Sequence, residues 1–113
     1  MPRSKLNPLP SAAFHILMAL ADDDLHGYGI MRAVAELTGG KVRLGPGTLY
    51  GSIKTLLEAK LIEELDERED EGERRRYYQL TGAGRRFARE EAERLAGMVR
   101  LARAKRIYRG AHV

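Results

Sequence analysis

The chain has 113 residues, of which 43% are hydrophobic, and this length and composition fit one domain with a modest core. Because it contains no cysteine, a disulfide framework and a thiolate metal site are both excluded. Its formal net charge of +4 favours a polyanionic partner but does not by itself establish one.

The first ten residues contain three prolines and are predicted to form an irregular arm. This arm lacks the apolar region of a signal peptide, and no apolar run in the chain approaches the roughly 20 residues that span a bilayer. A cytoplasmic protein without membrane contact is therefore the expectation. Ser11 is predicted to cap a first helix over residues 12–21, which is apolar on nearly all sides. Such a helix must be covered on more than one side, and another subunit can supply the second cover.

A second helix is predicted to open within residues 26–30 and to end at Gly39 and Gly40. Residues 41–44 alternate between polar and apolar side chains and predict a very short strand. Within that segment, Lys41 and Arg43 lie between the second and third helices, where they either reach phosphates or stay solvated.

The third predicted helix begins near Pro46, ends at about Lys60 and carries the most informative pattern. Apolar residues recur at helical spacing on its inward face: Leu49, Ile53, Leu56 and Leu57. Its opposite face carries short or planar hydrogen-bonding groups and one cation: Thr48, Tyr50, Ser52, Lys54 and Thr55. Such groups suit a helix in the major groove of DNA. The alternative is an ordinary amphipathic helix with a polar, solvated face.

A hairpin is predicted next, with strands over residues 61–65 and 74–80 and a glycine-tipped turn over residues 70–73. Residues 63–73 hold eight acidic side chains against one basic one, and residues 74–76 are three arginines. DNA phosphates would repel the acidic tip. We therefore expect Arg74 and Arg75 to contact DNA, with the tip turned outward or paired with them. The alternative is that the arginines only neutralise the neighbouring carboxylates.

Thr81 is predicted to cap a fourth helix, in which Gly82, Gly84 and Gly97 each cost roughly 1 kcal/mol relative to alanine. Apolar residues on this helix step by four, three, four and three, as in a heptad seam: Ala88, Ala92, Leu95, Val99 and Ala102. That spacing indicates a helix that pairs with another helix, although two heptads do not guarantee a coiled coil.

Three helices followed by a hairpin predict a mainly α fold with a small β-hairpin, the winged helix-turn-helix. The predicted organisation is an arm (1–10), a winged helix-turn-helix DNA-binding domain (11–80), and a C-terminal dimerisation helix with its tail (81–113). Four short segments resemble PadR-family transcriptional regulators of the small type with a single C-terminal helix. These segments are residues 26–30 (His-Gly-Tyr-Gly-Ile), 47–50 (Gly-Thr-Leu-Tyr), 56–58 leading to 61–62, and 75–81 (Arg-Arg-Tyr-Tyr-Gln-Leu-Thr). The resemblance covers residues 11–90.

The resemblance implies a homodimer that binds a near-palindromic operator, usually as a repressor, and that responds to a small hydrophobic or phenolic effector. It also implies that the first and fourth helices supply the dimer contacts, here Phe14, Leu17, Met18, Ala88, Ala92, Leu95, Val99 and Ala102. Some small members place a Trp at a pore in the dimer interface, and this chain has no Trp. We predict an effector pore lined by Phe14, Met18, Met98 and Leu101.

The predicted DNA contacts are Tyr28, Lys41, Arg43, Thr48, Leu49, Tyr50, Gly51, Ser52, Lys54, Arg74 and Arg75. Tyr50 is expected to meet a phosphate or a thymine methyl, or alternatively to pack against the second helix. Lys54 is expected to meet a phosphate or guanine, and Gly51 to allow close approach of the DNA. The backbone N–H groups of Thr48 and Leu49 lie near a helix N-terminus, where phosphates bind. Tyr28 has either a phosphate contact or a core role.

Enzymatic functions lack the necessary residues. The three histidines (His15, His26 and His112) are scattered along the chain, and no grouping of nucleophile, base and acid is apparent. No metal and no cofactor are expected. The alternative to DNA binding is a winged helix used for protein contacts, for which the acidic hairpin tip is the main support.

Overall fold

Four helices and a three-stranded antiparallel sheet make up the described part of the computed structural model, which comprises Leu6 and residues 9–110. In chain order the elements are α1 (Ser11–Ala19), β1 (Leu25–His26), α2 (Gly27–Leu37), α3 (Pro46–Glu58), β2 (Ile62–Asp70), β3 (Glu73–Leu80) and α4 (Gly82–Ala104). The hairpin β2–β3 follows the third helix, so the predicted winged helix-turn-helix is confirmed. Among the helices described, none is both long and apolar enough to cross a membrane.

The core lies between α1, α2, α3 and the sheet, and most of the predicted arm is outside the described residues. Leu6 and Leu9, the two arm leucines that are described, are buried in this core. On α1, Leu17 is also fully buried within the single chain. Its assignment to the dimer interface was wrong, because the chain itself already covers that side of α1. Phe14 is half-buried and Met18 stays exposed.

The start of α1 differs from the prediction, whereas the end of α2 agrees with it. Pro10, and not Ser11, is the N-cap residue of α1, so the predicted serine cap was wrong. Ser11 is the first helical residue, and its hydroxyl lies 3.3 Å from His15 Nδ1. Gly39 and Gly40 end α2 as predicted, with φ angles of 61° and 81° that glycine adopts without strain.

The third strand of the sheet is not where the alternating pattern placed it. Residues 41–44 form no strand, because the Val42 N–H donates to Thr38 Oγ1 at 3.0 Å. The free edge of β3 is instead occupied by β1, which pairs Leu25 with Tyr78, and the sheet order is β1-β3-β2. This pairing joins the start of α2 to the hairpin.

Hydrogen bonds hold the start of α4 against the segment that connects α3 to β2. Thr81 Oγ1 accepts a hydrogen bond from the Gly84 N–H at 2.9 Å, which confirms the predicted cap. The same hydroxyl lies within donating distance of two carbonyl oxygens, those of Lys60 and Leu61, each 2.9 Å away. Gly84 itself is buried. The first turns of α4 are thereby held against the domain.

Candidate nucleic-acid interface

Helix α3 presents the predicted polar face to solvent. Leu49, Ile53 and Leu56 are buried, which leaves the other side of the helix free. The Tyr50 side chain is 52% exposed, although it lies beside α2. Of the other polar and small residues predicted on this face, Thr48, Gly51 and Lys54 are exposed, and Ser52 is half-buried. Tyr50 therefore combines the two arrangements considered for it, since its side chain is accessible to a ligand and also packs beside Gly27 of α2.

Leu49 is the exception among the predicted contacts on α3. Its side chain is fully buried, and its backbone N–H donates to the Gly45 carbonyl oxygen at 2.9 Å. Neither group is left for a phosphate, so the assignment of Leu49 to the DNA contacts was wrong. The local cause is that α3 begins at Pro46, as predicted, so the Leu49 N–H already lies within the hydrogen-bonded first turn.

The exposed ridge of α3 is made of small residues. A Cβ atom built on Gly47 or Gly51 would meet nothing within 4 Å, so the space above the helix is open. On one flank of this ridge, Leu6 and Pro10 from the arm border a groove of about 270 Å³ together with Thr48 and other α3 residues. A polymer such as DNA can therefore approach the backbone of α3 closely.

The first turn of α2 carries an exposed tyrosine, Tyr28. Tyr28 is 55% exposed, and its ring is stacked with His26 at a centroid separation of 6.4 Å. The Arg32 guanidinium lies 5.8 Å from the Tyr28 ring centroid. Of the two functions considered for Tyr28, this exposure favours a surface contact over a core role.

His26 holds the N-terminus of α2, a role that the sequence analysis did not assign. Its Nδ1 accepts a hydrogen bond from the Gly29 N–H at 3.1 Å. Its ring also meets Tyr77 of β3 edge-on at 5.3 Å, so one side chain orients both the helix start and the strand. A histidine immediately before a Gly-X-Gly helix start was the available signal, but histidine is not among the common capping residues.

Replacing His26 by alanine is expected to lower the free energy of unfolding by about 1 kcal/mol, because the Gly29 N–H loses its acceptor. His26→Asn should retain most of that stability, since asparagine is among the best N-cap residues. Urea unfolding monitored by circular dichroism measures both. Equal stability of the wild type and the alanine variant would contradict the capping role.

The arginines of β3 are paired with glutamates of the hairpin. Arg74 Nε lies 3.3 Å from Glu67 Oε1, and Arg76 bridges Glu64 at 3.3 Å and Glu67 at 3.8 Å. These pairs are exposed, so each contributes little to stability. Because Glu64 and Glu67 lie outside the acidic tip, these contacts agree with the alternative that the arginines neutralise neighbouring carboxylates, and they leave Arg74 and Arg76 partly neutralised in the free protein.

Arg75 differs from its two neighbours. Its side chain is only 24% exposed, and Nη2 lies 3.4 Å from Glu73 Oε2. Nη1 lies 3.4 Å from His26 Nδ1, while Nε is buried and has no hydrogen-bond partner among the described residues. Arg75 thus brings a positive charge with spare donor capacity to the junction of α2 and β3.

The hairpin is a long, bent arm with a tight tip. A β-bulge shifts the register between Glu64 and Glu67, and positive φ angles at Glu71 (52°) and Gly72 (83°) identify a two-residue type I′ turn. Arg68 anchors the arm laterally, because it lies 3.5 Å from Asp24 and 4.5 Å from the Tyr77 ring centroid. At the acidic tip, Glu71 borders a groove together with Tyr28 of α2 and Arg75 of β3.

Tyr78 is a buried residue of β3 that lines the same groove as Tyr50. Burial raises the pKa of its phenol, as does the Glu64 carboxylate, while Arg76 acts in the opposite direction and Tyr50 adds to the increase. The phenol therefore stays uncharged at neutral pH. The predicted contacts Lys41 and Arg43 are exposed, in the connection between α2 and α3.

The predicted dimerisation seam on α4 is largely uncovered. Its exposed members include Leu95 (36% exposed) and Val99 (41%), and Ala92 is exposed as well. The seam residues Ala88 and Ala102 are half-buried. Of the residues predicted to line an effector pore, Met98 and Leu101 are exposed on the same half of the helix.

Beside this seam, Glu91 is buried and ion-paired. Arg94 Nη2 and Nε lie 2.5 and 2.9 Å from its carboxylate oxygens. The hydrogen bonds from Arg94 lower the pKa of Glu91, against the opposing effect of burial. The pair borders the apolar seam with a satisfied charge, which is compatible with a packed interface.

Comparison with known proteins adds independent information. The model of the PadR-like family of transcriptional regulators matches residues 16–90. The transcriptional regulator Rv3488 of Mycobacterium tuberculosis is 35% identical over 86 residues, which are 76% of this chain and 77% of that protein. The chain spans only 22% and 37% of the length of two other curated relatives that it matches.

Solved structures share the same fold. A PadR-family transcription regulator from Clostridium difficile superimposes with a TM-score of 0.74 at 26% identity, covering 84% of this chain and 97% of that one. Bacillus subtilis PadR in complex with operator DNA gives a TM-score of 0.62 at 21% identity, covering 71% of this chain and 45% of that one. The second similarity is one of fold.

Proposed function

We propose, because this chain belongs to the PadR-like family of transcriptional regulators, that it binds a near-palindromic operator as a homodimer and represses transcription. The observation that carries this proposal is the exposed polar face of α3 on a winged helix-turn-helix. The related Bacillus subtilis protein has been solved with operator DNA, which makes duplex DNA the first partner to test. A repressor of this kind acts in the cytoplasm, beside the DNA it binds.

The proposed DNA contacts fall into two groups. Residues of α3 enter the major groove, where Thr48, Ser52 and Lys54 reach base edges or phosphates and Gly51 permits close approach. The second group holds the DNA backbone on either side of the groove, and it consists of Tyr50 of α3 and of residues outside α3: Tyr28, Lys41, Arg43, Arg74 and Arg75. Arg74 must exchange its contact with Glu67 for a phosphate, an exchange that costs little because the pair is exposed.

The homodimer is supported by the apolar seam of α4. Side chains such as Leu95 and Val99 stay partly exposed on a helix whose first turns pack on the domain. A second copy of α4 is the partner that its heptad spacing fits. With Met18 exposed on the adjacent α1, the same interface provides apolar side chains for a small hydrophobic or phenolic effector that would release the operator.

The direct test is selection of binding sites from a random duplex library, followed by affinity measurements at several salt concentrations. We expect a palindromic consensus and an affinity that falls steeply as salt rises, by about 0.9 log units per log unit of salt for each phosphate neutralised. No enriched sequence, with binding no tighter than about 10⁻⁶ M, would instead favour a protein-interaction module.

Lys54→Ala should lower the slope of log affinity against log salt by about one if this side chain meets a phosphate. Lys105→Ala removes the same charge from an exposed site beyond α4 and should leave the slope unchanged. A slope that falls equally in both variants would show that only net charge matters.

A further inference from the structure

We propose that Gly27 seats the Tyr50 phenol on α2, so that the Tyr50 hydroxyl and the Arg75 guanidinium together bind one phosphate of the DNA backbone. This inference rests on the proposed function, since it assigns one residue of that interface a specific ligand group. It gives Tyr50 the role of a backbone contact, and it gives Gly27 the role of a positioning residue.

The contact between Gly27 and Tyr50 requires glycine. A Cβ atom on Gly27 would lie 2.9 Å from Tyr50 Cζ and 3.1 Å from Cε1, and it would also collide with the hydroxyl oxygen. Real Cβ atoms essentially never approach to 2.9 Å, so any other residue would push the ring off α2. The phenol nevertheless remains half exposed, so it is available to a ligand.

This seating determines where the hydroxyl points. Because the end of the ring lies over the first residue of α2, it is directed towards the junction of α2 and β3 and not outward along α3. In helix-turn-helix proteins the helix before the recognition helix crosses the DNA backbone. A side chain held against that helix is therefore placed for the backbone and not for base edges.

The groove at this junction has the composition of an anion site. It has a volume of about 370 Å³ and is lined by Tyr28, Tyr50, Tyr78, His26, Gly27, Glu67 and the arginines Arg74, Arg75 and Arg76. Glu67 already pairs with Arg74 and Arg76. Arg75 is paired with Glu73 at 3.4 Å, but its buried Nε has no hydrogen-bond partner among the residues described, so one donor of this guanidinium is unused. A phosphate would receive charge-assisted hydrogen bonds from both the phenol and the guanidinium.

Tyr50→Phe removes only the hydroxyl and separates a phosphate contact from a base contact. Its affinity should be measured on an operator selected by the wild type and on an unrelated duplex of equal length. Because a phosphate contact is independent of sequence, affinity should fall about tenfold on both duplexes, with their ratio unchanged. A loss confined to the operator, or no loss on either duplex, would overturn the proposal.

Gly27→Ala tests whether the contact between Gly27 and the Tyr50 ring contributes to DNA affinity. We expect about a tenfold loss of affinity when Tyr50 is present and no further loss in the Tyr50→Ala background. Gly29→Ala is the matched control in the same helix, because its Cβ would have neighbours no nearer than 3.5 Å. Equal losses from Gly27→Ala in both backgrounds would mean that Gly27 acts independently of Tyr50, which overturns its positioning role.

Arg75→Ala completes the test and does not depend on whether Gly27→Ala folds. The salt slope should fall by about one on both duplexes, whereas Arg86→Ala, a control at an exposed arginine of α4, should preserve it. An unchanged salt slope for Arg75→Ala would contradict the proposed phosphate site. If selection yields no preferred sequence, sequence-specific regulation fails, yet the measurements on the unrelated duplex still decide whether the phosphate site exists.

Discussion

Leu95→Glu is expected to convert the proposed dimer to a monomer and to reduce operator affinity by about 100-fold or more. Leu95 lies in the middle of the apolar seam of α4 and is 36% exposed in the single chain. A glutamate there would place a carboxylate in the apolar contact between two α4 helices, where it finds no partner. Since a dimer binds two half-sites at once, a monomer loses the gain in affinity that linkage provides. Sedimentation and operator titration measure the two effects separately.

Ala104→Glu is the matched control for this substitution. It also adds one negative charge to an apolar position of α4, but it lies nine residues, or two and a half helical turns, from Leu95 and so on the opposite face. It should remain dimeric and bind the operator normally. If the Leu95→Glu protein still sediments as a dimer, α4 does not form the interface. The exposed part of α1 is then the next candidate.

The sequence suffices to predict the buried side of α3, but not which side of α1 is free. On α3, polar and apolar residues recur with helical periodicity, so the sequence predicts that Leu49 and Ile53 are core residues. On α1 nearly every residue is apolar, and periodicity then carries no information about which side the chain covers. Leu17 and Met18 are equally apolar neighbours, yet one is fully buried and the other exposed.

Contacts between distant segments account for the remaining differences. Strand β1 has only two residues, too few to show a period, and it exists because the edge of β3 accepts it some fifty residues later in the chain. The seating of Tyr50 on Gly27 likewise depends on how α2 and α3 cross, which no local pattern encodes. The ion pairs of the hairpin depend on a register that the bulge between Glu64 and Glu67 shifts.

The charge of the hairpin illustrates how composition and geometry differ. By composition its acidic residues argue against DNA, because phosphates repel carboxylates. By geometry Glu64 and Glu67 are occupied with Arg74 and Arg76, and the tight turn at Glu71 carries the tip beyond these pairs. Arg75 also pairs with a glutamate, Glu73, but it differs in lying 3.4 Å from His26 at the start of α2, and composition alone does not distinguish it from the arginines on either side.

Gly84→Ala is expected to lower the free energy of unfolding by at least about 2 kcal/mol, the opposite of what helix propensity predicts. A Cβ on Gly84 would collide with the Leu61 carbonyl oxygen and would lie 2.8 Å from Leu80 Cδ1 and 2.9 Å from the Leu61 carbonyl carbon. The carbonyl belongs to the backbone and also accepts a hydrogen bond from Thr81. It cannot rotate away, so α4 would have to move from the sheet. For a domain of this size the loss corresponds to a fall in Tm of about 10 °C.

Gly97→Ala provides the comparison within the same helix. Its Cβ would lie 3.5 Å from Arg100 Nη2, the end of a flexible side chain, so alanine there should be neutral or stabilise the protein by up to about 1 kcal/mol. Both variants should be unfolded at one protein concentration, because the stability of the proposed dimer would depend on concentration. Equal effects at the two glycines would mean that α4 is not held against the Leu61 carbonyl. A large loss at Gly84 alone would show that the missing side chain at this position is what allows α4 to pack against the Leu61 carbonyl.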